Sequence, residues 1–292
     1  MGGSIYVNDD KSAYVRTNDP AEIAGEVNIT RELLDRGFPV PRVLGDGTLE
    51  DGRGYFIEAS IGEKIFADIF KIETAEAGHA NNASFDAFIA TIQAYCEAQF
   101  NPANYVPHDQ NALDAMIALP NVMRNNPFSE NMQGPFTEAY GKIFERVSKL
   151  PWGYIQSDLN AYNILPGGVI DFELANFGPV GYDALTNVFF GIMWPKAMLR
   201  YRFTDEQVAR YIAMIDSAAH AQGLPPISDY RDDFLVLKNI WGTGKDKKSE
   251  ENPDDDPAFW AWRVKVRDWC IMQYLKGEKI DTSLFEAIGS AG

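Results

Sequence analysis

The sequence predicts an α+β protein of two unequal lobes, a small N-terminal antiparallel sheet with one helix and a larger, mainly helical C-terminal lobe. In the first sixty residues, short apolar runs alternate with turn-forming residues, as strands and tight turns do. From Ile65 onward, apolar side chains recur mostly at helical spacing. A boundary near Ser60 to Glu63 therefore divides the 292 residues into lobes at 1–60 and 61–292.

The N-terminal lobe is predicted to contain one helix, Pro20 to Arg36. Asp19 can cap this helix, Pro20 suits its first position and Gly37 ends it. Strands are expected at residues 4–7, 13–15, 42–44 and 54–58.

In the C-terminal lobe, helical periodicity covers residues 85–100, 137–150, 205–222 and 259–275. The stretch from Trp152 to Asp171 differs, because two apolar pieces flank a polar loop. Residues 242–257 form a charged, loop-like segment.

Composition and charge exclude several classes of protein. The net charge of -16 works against nucleic-acid binding, which needs clustered Lys and Arg, and it fits either a cationic partner or simply an acidic surface. No apolar run approaches the roughly 18 residues that a membrane helix needs, and the N-terminus is unlike a signal peptide, so a cytoplasmic protein is expected. Two cysteines and three dispersed histidines predict neither a disulfide framework nor a histidine-based metal site.

The polar loop between the two apolar pieces has a spacing typical of phosphoryl transfer. Asp158 and Asn163 form a D-x-x-x-x-N pattern, and Asp171 follows a turn and a brief apolar run. One carboxylate can orient an attacking hydroxyl and accept its proton, while a carboxylate and an amide oxygen can hold Mg²⁺. The pattern alone often occurs by chance in turns; the flanking strands and the second Asp make it informative.

These segments resemble the aminoglycoside phosphotransferase family, which includes choline, homoserine and hygromycin kinases. The family's H-G-D-x-x-x-x-N-x-L, I-D-[FW]-E, Gly-Pro and Tyr-Asp motifs correspond to residues 156–165, 170–173, 178–179 and 182–183. The N-terminal strand, helix and Phe38-Pro39-Val40-Pro41 also match. The resemblance covers roughly residues 4 to 195 and implies a protein-kinase-like fold that uses ATP or GTP as co-substrate.

The resemblance implies that Asp158 is the catalytic residue and that Asn163 and Asp171 are Mg²⁺ ligands. Arg16, at a strand end, would contact the nucleotide phosphates and pair with Glu26 on the first helix, with Glu22 as the substitute if Glu26 faces solvent.

The family's adenine-binding connection between the lobes would correspond to Tyr55 to Ile61. The cofactor-binding residues expected within it are Glu58, Ala59 and Ser60. Asp183 would brace the catalytic loop or a neighbouring helix and take no part in the chemistry.

Three features depart from the family pattern. Gln156 stands where His is usual, as a structural brace, and Arg16 replaces the usual Lys. Of the phosphate-covering loop only Gly2-Gly3-Ser4 is recognisable, so the N-terminal lobe is expected to be shortened.

An active small-molecule kinase is the first interpretation, and a pseudokinase or binding module with little turnover is the alternative. A protein kinase is disfavoured because the distance from Asp171 to Tyr182 leaves no room for an activation segment. The sequence has no G-x-G-x-x-G after a strand, which excludes a Rossmann dehydrogenase.

The acceptor is expected to be a small, cationic, hydroxyl-bearing molecule. Glu250, Glu251, Asp254, Asp255 and Asp256 precede Trp260, Trp262 and Trp269, and carboxylates with aromatic faces can hold an ammonium group. A solvated acidic loop beside core tryptophans, with a neutral sugar or other alcohol as acceptor, is the competing interpretation. The oligomeric state is left open.

Overall fold

The computed structural model describes residues 4–193, 201–244 and 257–290. It has the predicted two-lobed α+β fold. The N-terminal lobe is a four-stranded antiparallel sheet in the order β1-β2-β4-β3, with one helix packed on it. Its elements are β1 (Ser4–Val7), β2 (Ala13–Asn18), α1 (Pro20–Asp35), β3 (Val43–Thr48) and β4 (Gly54–Ala59).

Helix α1 begins where its sequence predicts. The side chain of Asp19 accepts a hydrogen bond from the backbone N–H of Ala21 at 2.9 Å, and Pro20 occupies the first turn. Ile23 and Val27 of the helix form a small buried cluster with Phe56 of β4. Burial of these side chains fixes the helix against the sheet.

The strands β2 and β3 extend further than the apolar residues alone indicate. Strand β2 continues through Arg16 to Asn18 because it pairs with β1 on one side and with β4 on the other. Backbone pairing on both edges thus carries the ladder through polar residues. As a result, Arg16 is held in the centre of the sheet.

The C-terminal lobe is mainly helical and surrounds one large buried core. No helix among the described residues is long and apolar enough to cross a membrane. The helices of the C-terminal lobe are α2 (Phe66–Ala77), α3 (Asn82–Gln99), α4 (Gln110–Met116), α5 (Leu119–Asn125), α6 (Glu130–Val147), α7 (Tyr182–Asn187), α8 (Asp205–Ala221), α9 (Arg231–Trp241), α10 (Pro257–Lys276) and α11 (Phe285–Ser290). Its short strands are β5 (Trp152–Ile155), β6 (Ile164–Leu165), β7 (Gly168–Val169) and β8 (Asn176–Pro179), paired as β5-β8 and β6-β7.

Helix α6 begins at Glu130, before its predicted start at Thr137, and includes Pro135. A proline inside a helix removes one hydrogen bond and disturbs the preceding turn. The buried side chains of Met132, on the near side of the proline, and Ala139, on the far side, show that packing continues across it. Tertiary contacts therefore outweigh the local cost.

The β6-β7 hairpin connects the catalytic region to the N-terminal lobe. The backbone N–H of Val169 donates to the carbonyl of Pro39 at 2.7 Å, and that of Gly167 donates to the carbonyl of Ile61 at 2.8 Å. Gly168 has φ +153°, and a Cβ there would lie 2.2 Å from the Pro39 oxygen, so only glycine fits. These contacts hold the chain just before Asp171 beside the N-terminal lobe.

Candidate active site

The predicted catalytic loop begins at the end of β5 and is fixed by its own asparagines. The side-chain amide of Asn160 donates to the carbonyl of Asp158 at 2.7 Å, and that of Asn163 donates to the same carbonyl at 3.1 Å. The Asn160 side chain also accepts from the N–H of Tyr162, which starts a short 3₁₀ turn, Ala161–Asn163. Asp158 and Asn163 are thereby brought to one site.

Asp171 is joined to the same loop. The N–H of Ile170 donates to the carbonyl of Asn163 at 2.9 Å. The side-chain amide of Gln156 donates to the carbonyl of Asp171 at 2.6 Å, and Gln156 itself is fully buried. Asp171 has φ +65°, a left-handed conformation that is uncommon outside glycine. Gln156 thus acts as a brace at the position where the family usually has His.

A buried carboxylate accepts a hydrogen bond from the backbone of Gln156. Asp183 accepts hydrogen bonds from the hydroxyl of Tyr95 at 2.6 Å, the backbone N–H of Gln156 at 2.8 Å and the side chain of Gln99 at 3.1 Å. Burial raises the pKa of Asp183, and the Tyr95 and Gln156 hydrogen bonds act in the opposite direction. Asp183 braces the loop, as expected. It also accepts hydrogen bonds from Tyr95 and Gln99 of α3, two partners that the Tyr-Asp motif did not indicate.

Arg16 lies between two carboxylates. Its Nε donates to Oε1 of Glu58 at 3.1 Å, whereas its Nη1 is 4.0 Å from Oε2 of Glu26. The expected contact with Glu26 is therefore present at the limit of an ion pair, and the shorter contact is with Glu58. Arg16, Glu26 and Glu58 line one pocket together with Asp171.

Burial is the main cause of raised pKa values at both glutamates. The pKa of Glu26 is raised above 4.5, with Arg16 acting in the opposite direction and Asp171 adding to the rise. The pKa of Glu58 is raised for the same reasons. Both carboxylates therefore carry their charge at a cost in this pocket.

The strand end expected to meet the adenine base has its N–H groups engaged within the protein. The N–H of Ala59 donates to the carbonyl of Arg42 at 2.9 Å, and that of Ser60 donates to the carbonyl of Ser12 at 2.8 Å. A base bound here would have to use other backbone groups of the segment. The roles of Ala59 and Ser60 toward the nucleotide stay predictions.

Three carboxylates converge beside the catalytic loop. One oxygen each from Glu26, Asp171 and Glu173 lies within 4.8 Å of the others. Glu173 was not expected to take part, although it belongs to the Ile170-Asp171-Phe172-Glu173 motif and could have been considered from that position. Such a group of oxygens is chemically suited to a hard divalent cation.

A second residue that sequence reasoning missed is Lys238 of α9. Its ammonium donates to the carbonyl of Ser157 at 2.6 Å and lies 4.0 Å from Oδ1 of Asp158. The only signal in the sequence is a lysine within the apolar run Phe-Leu-Val-Leu-Lys-Asn-Ile-Trp, residues 234–241.

The tryptophans expected at the acceptor site belong to the core. Trp260 and Trp262 are each 7% exposed, and the indole N–H of Trp262 donates to the carbonyl of Phe285. Trp269 is partly buried and packs edge-to-face on Phe285. The core interpretation is thus correct for Trp260 and Trp262, while the acidic residues 250–256 lie outside the described residues.

The two-lobed fold with this catalytic loop defines a phosphotransferase of the protein-kinase-like class. The family model described as "Phosphotransferase enzyme family" matches residues 4–230, and the chain belongs to that family. A search of curated proteins by sequence finds no match.

Three solved structures with the same fold are two aminoglycoside phosphotransferases and an amicoumacin kinase. A thermostable mutant of aminoglycoside phosphotransferase APH(4)-Ia, bound to ADP and hygromycin B, is 13% identical with a TM-score of 0.56, covering 92% of this chain and 89% of that one. Amicoumacin kinase hAmiN, in complex with AMP-PNP and Ca²⁺, is 13% identical with a TM-score of 0.55 over 96% and 88%. APH(3'')-Id from Streptomyces rimosus, with ADP and streptomycin, is 16% identical with a TM-score of 0.53 over 81% and 89%.

Proposed function

We propose that the chain transfers the γ-phosphoryl group of ATP or GTP to a hydroxyl of a small, positively charged molecule, with Mg²⁺ as cofactor. The observation that carries this proposal is the pair of hydrogen bonds at Asn163. Its side chain bonds to the Asp158 carbonyl at 3.1 Å, and its backbone carbonyl bonds to Ile170 at 2.9 Å, next to Asp171. The D-x-x-x-x-N pair and the second Asp thus belong to one site.

In the proposed reaction, the acceptor's hydroxyl oxygen forms a bond to the γ-phosphorus while the bond from that phosphorus to the β,γ-bridging oxygen breaks. Asp158 accepts the hydroxyl proton, and the nucleoside diphosphate leaves with the bridging oxygen. Positioning and electrostatic stabilisation account for most of the catalysis in this class of reaction.

The residues present fit a Mg²⁺ ion. Asp171 offers a carboxylate, and Asn163 offers its amide oxygen, because its amide nitrogen already donates to the Asp158 carbonyl. Glu26 and Glu173 add carboxylates beside Asp171. When bound, the metal would neutralise phosphate charge.

On the nucleotide side, we assign residues 1–60 as the nucleotide-binding lobe and 61–292 as the catalytic and acceptor-binding lobe. Arg16 would contact the phosphates while Glu26 and Glu58 orient it, and the segment Glu58 to Ser60 would lie against the base. The buried free thiols of Cys96 and Cys270 fit a reducing cytoplasm.

A cationic acceptor is favoured by the net charge of -16, which also speaks against nucleic acid or an anionic membrane surface as partner. The neighbouring structures contain hygromycin B and streptomycin. Because the ammonium of Lys238 lies 4.0 Å from Asp158, we expect the acceptor's positive charge to lie away from the reacting hydroxyl.

A binding module with little turnover is the second candidate, and one observation favours it. Arg16, which would have to meet the phosphates, makes its shorter contact with Glu58, at 3.1 Å. If Glu58 kept Arg16 from the nucleotide, binding would be weak and transfer slow.

The test is calorimetry of the wild-type chain with ATP and with GTP, with and without Mg²⁺, followed by phosphoryl transfer to a panel of alcohols. We expect Mg²⁺-dependent binding and transfer, and Asp158→Ala should lower the rate about 10²- to 10⁴-fold with binding retained, as for loss of a general base. Asp68→Ala, which removes an exposed carboxylate paired with Lys71, is the matched control. Weak nucleotide binding without Mg²⁺ dependence, together with little or no transfer, would reject the phosphotransferase function and favour the binding module.

A further inference from the structure

Lys238 is a charged side chain in a largely apolar part of α9. It is 3% exposed, and its neighbours Leu235, Leu237 and Ile240 are at most 1% exposed. Burying an ammonium group is unfavourable unless hydrogen bonds and opposite charge compensate for the lost water. Its contacts therefore show what the lysine is placed to do.

The ammonium of Lys238 contacts both the catalytic loop and an aromatic ring. It donates to the carbonyl of Ser157 at 2.6 Å, lies 4.0 Å from Oδ1 of Asp158, and lies 3.8 Å from the centre of the Trp241 ring. The charge is thus held between an aromatic face, a carbonyl and the catalytic carboxylate.

The bond to Ser157 acts at a strained point of the backbone. Ser157 has φ +66°, which non-glycine residues adopt at a cost. Asn160 and Asn163 donate hydrogen bonds to the carbonyl of Asp158, the residue that follows Ser157. Lys238 holds the peptide that precedes Asp158, so the loop is fixed on both sides of the carboxylate.

We propose that Lys238 is a positioning residue for Asp158, which holds the backbone ahead of the carboxylate and supplies a fixed positive charge beside it. This inference rests on the proposed phosphoryl transfer. The proton of the hydroxyl goes to Asp158 and not to Lys238. The ammonium orients the carboxylate toward the reacting oxygen, and it is already in place before the reaction begins.

Lys238→Met and Lys238→Gln separate this role from simple bracing. Glutamine keeps an N–H donor but has no charge, whereas methionine has neither. A lysine that only braces the Ser157 carbonyl would be replaced well by Gln. A lysine whose charge acts on Asp158 would be replaced by neither residue.

The experiment measures single-turnover hydrolysis of Mg·ATP, with water in place of the acceptor, together with nucleotide affinity and melting temperature. We expect both variants to lower the rate about 100-fold, the usual order for losing one electrostatic contact at a reaction centre. Nucleotide affinity should change by less than about threefold, because the loss is confined to the transition state. Lys142→Met, which removes an exposed lysine paired with Glu138, is the control for loss of one charge.

A double variant shows whether Lys238 acts through Asp158. If it does, Asp158→Ala with Lys238→Gln should be no slower than Asp158→Ala alone. If Lys238→Met does not fold, Lys238→Gln carries the comparison. Wild-type rates for Lys238→Gln, or a further loss in the double variant, would overturn the inference. A wild type that neither binds nor hydrolyses Mg·ATP would instead reject the proposed function on which it rests.

Discussion

Arg16 Nε lies 3.1 Å from Oε1 of Glu58, whereas Glu26 approaches no closer than 4.0 Å. The sheet register explains the first contact. Arg16 is paired with Phe56 across β2 and β4, and Glu58 is two residues further along β4, so both side chains emerge on one face. A guanidinium can bond to Glu58 through Nε and still present its Nη groups toward Glu26, whereas a lysine would have to make both contacts through one ammonium nitrogen.

The first prediction concerns this geometry. Arg16→Lys should weaken Mg·ATP binding about tenfold or more, since a hydrogen bond to a charged group contributes about 1.5–3 kcal/mol. Adding Glu58→Met should restore part of the affinity, because the lysine is then free to pair with Glu26. Calorimetry on the two single variants and the double variant measures the coupling.

The control is Arg31→Lys, which alters an exposed arginine paired with Asp46. Equal losses in Arg16→Lys with and without Glu58→Met would show that Glu58 does not govern the position of Arg16.

The second prediction concerns the metal. Asp171→Ala should remove the Mg²⁺-dependent part of the nucleotide affinity, because Asp171 is a half-buried member of the carboxylate group with Glu26 and the exposed Glu173. Glu173→Gln should reduce it less. Titrations of nucleotide with and without Mg²⁺ check both variants, with Asp68→Ala as the surface control. Unchanged Mg²⁺ dependence in Asp171→Ala would mean that Asp171 only shapes the turn.

The part of the site that could be predicted from sequence is the part that is local in sequence. Asp158 and Asn163 are five residues apart and are joined by a hydrogen bond within one loop. The Lys238–Ser157 bond spans 81 residues, and the Arg16–Glu58 bond spans 42. Such contacts depend on strand register and helix packing, which no short motif encodes.

The fold shows the same division. The capped start of helix α1 and the positions of the strands in the first sixty residues depend on residues that are close in sequence, and both were predicted. Trp260 and Trp262 were expected at the acceptor site but belong to the core. The same spacing of aromatic residues along a helix is compatible with core packing and with ligand binding. Only the packing of α10 against α9 and α6 distinguishes the two.

The third prediction concerns pH. Burial raises the pKa of Glu26 above its ordinary value of 4.5, so the folded chain holds this proton more tightly than the unfolded chain. The contribution of Glu26 to stability is therefore fully present below pH 4.5. It is lost as the pH rises through the raised pKa of Glu26 in the folded chain. Glu26→Gln cannot lose a proton, so its free energy of unfolding relative to wild type should increase with pH across this window.

Urea unfolding of wild type and Glu26→Gln at a series of pH values, without nucleotide or metal, measures this difference. Glu22→Gln is the control, since Glu22 lies in the exposed first turn of the same helix. A difference that is constant with pH would show that Glu26 titrates alike in the folded and unfolded chains.

The last prediction concerns Gln156, the residue that stands in place of the family's usual His. Its amide nitrogen donates to the carbonyl of Asp171 at 2.6 Å in a fully buried position. Among the described residues, its buried amide oxygen has no hydrogen-bond partner. Gln156→Leu would leave the Asp171 carbonyl without this donor, and a buried polar group that loses its partner costs about 1–3 kcal/mol.

Gln156→Leu should therefore lower the free energy of unfolding by about 1–3 kcal/mol and also lower turnover, because the carbonyl belongs to the proposed metal ligand. Gln156→His keeps an N–H donor for the Asp171 carbonyl, so it should retain most of the wild-type stability. Urea unfolding and Mg·ATP hydrolysis of the two variants measure both effects. If the leucine variant matched wild type in stability and rate, the brace at Asp171 would be rejected, since Gln156 would then be only a residue that fills space beneath the loop.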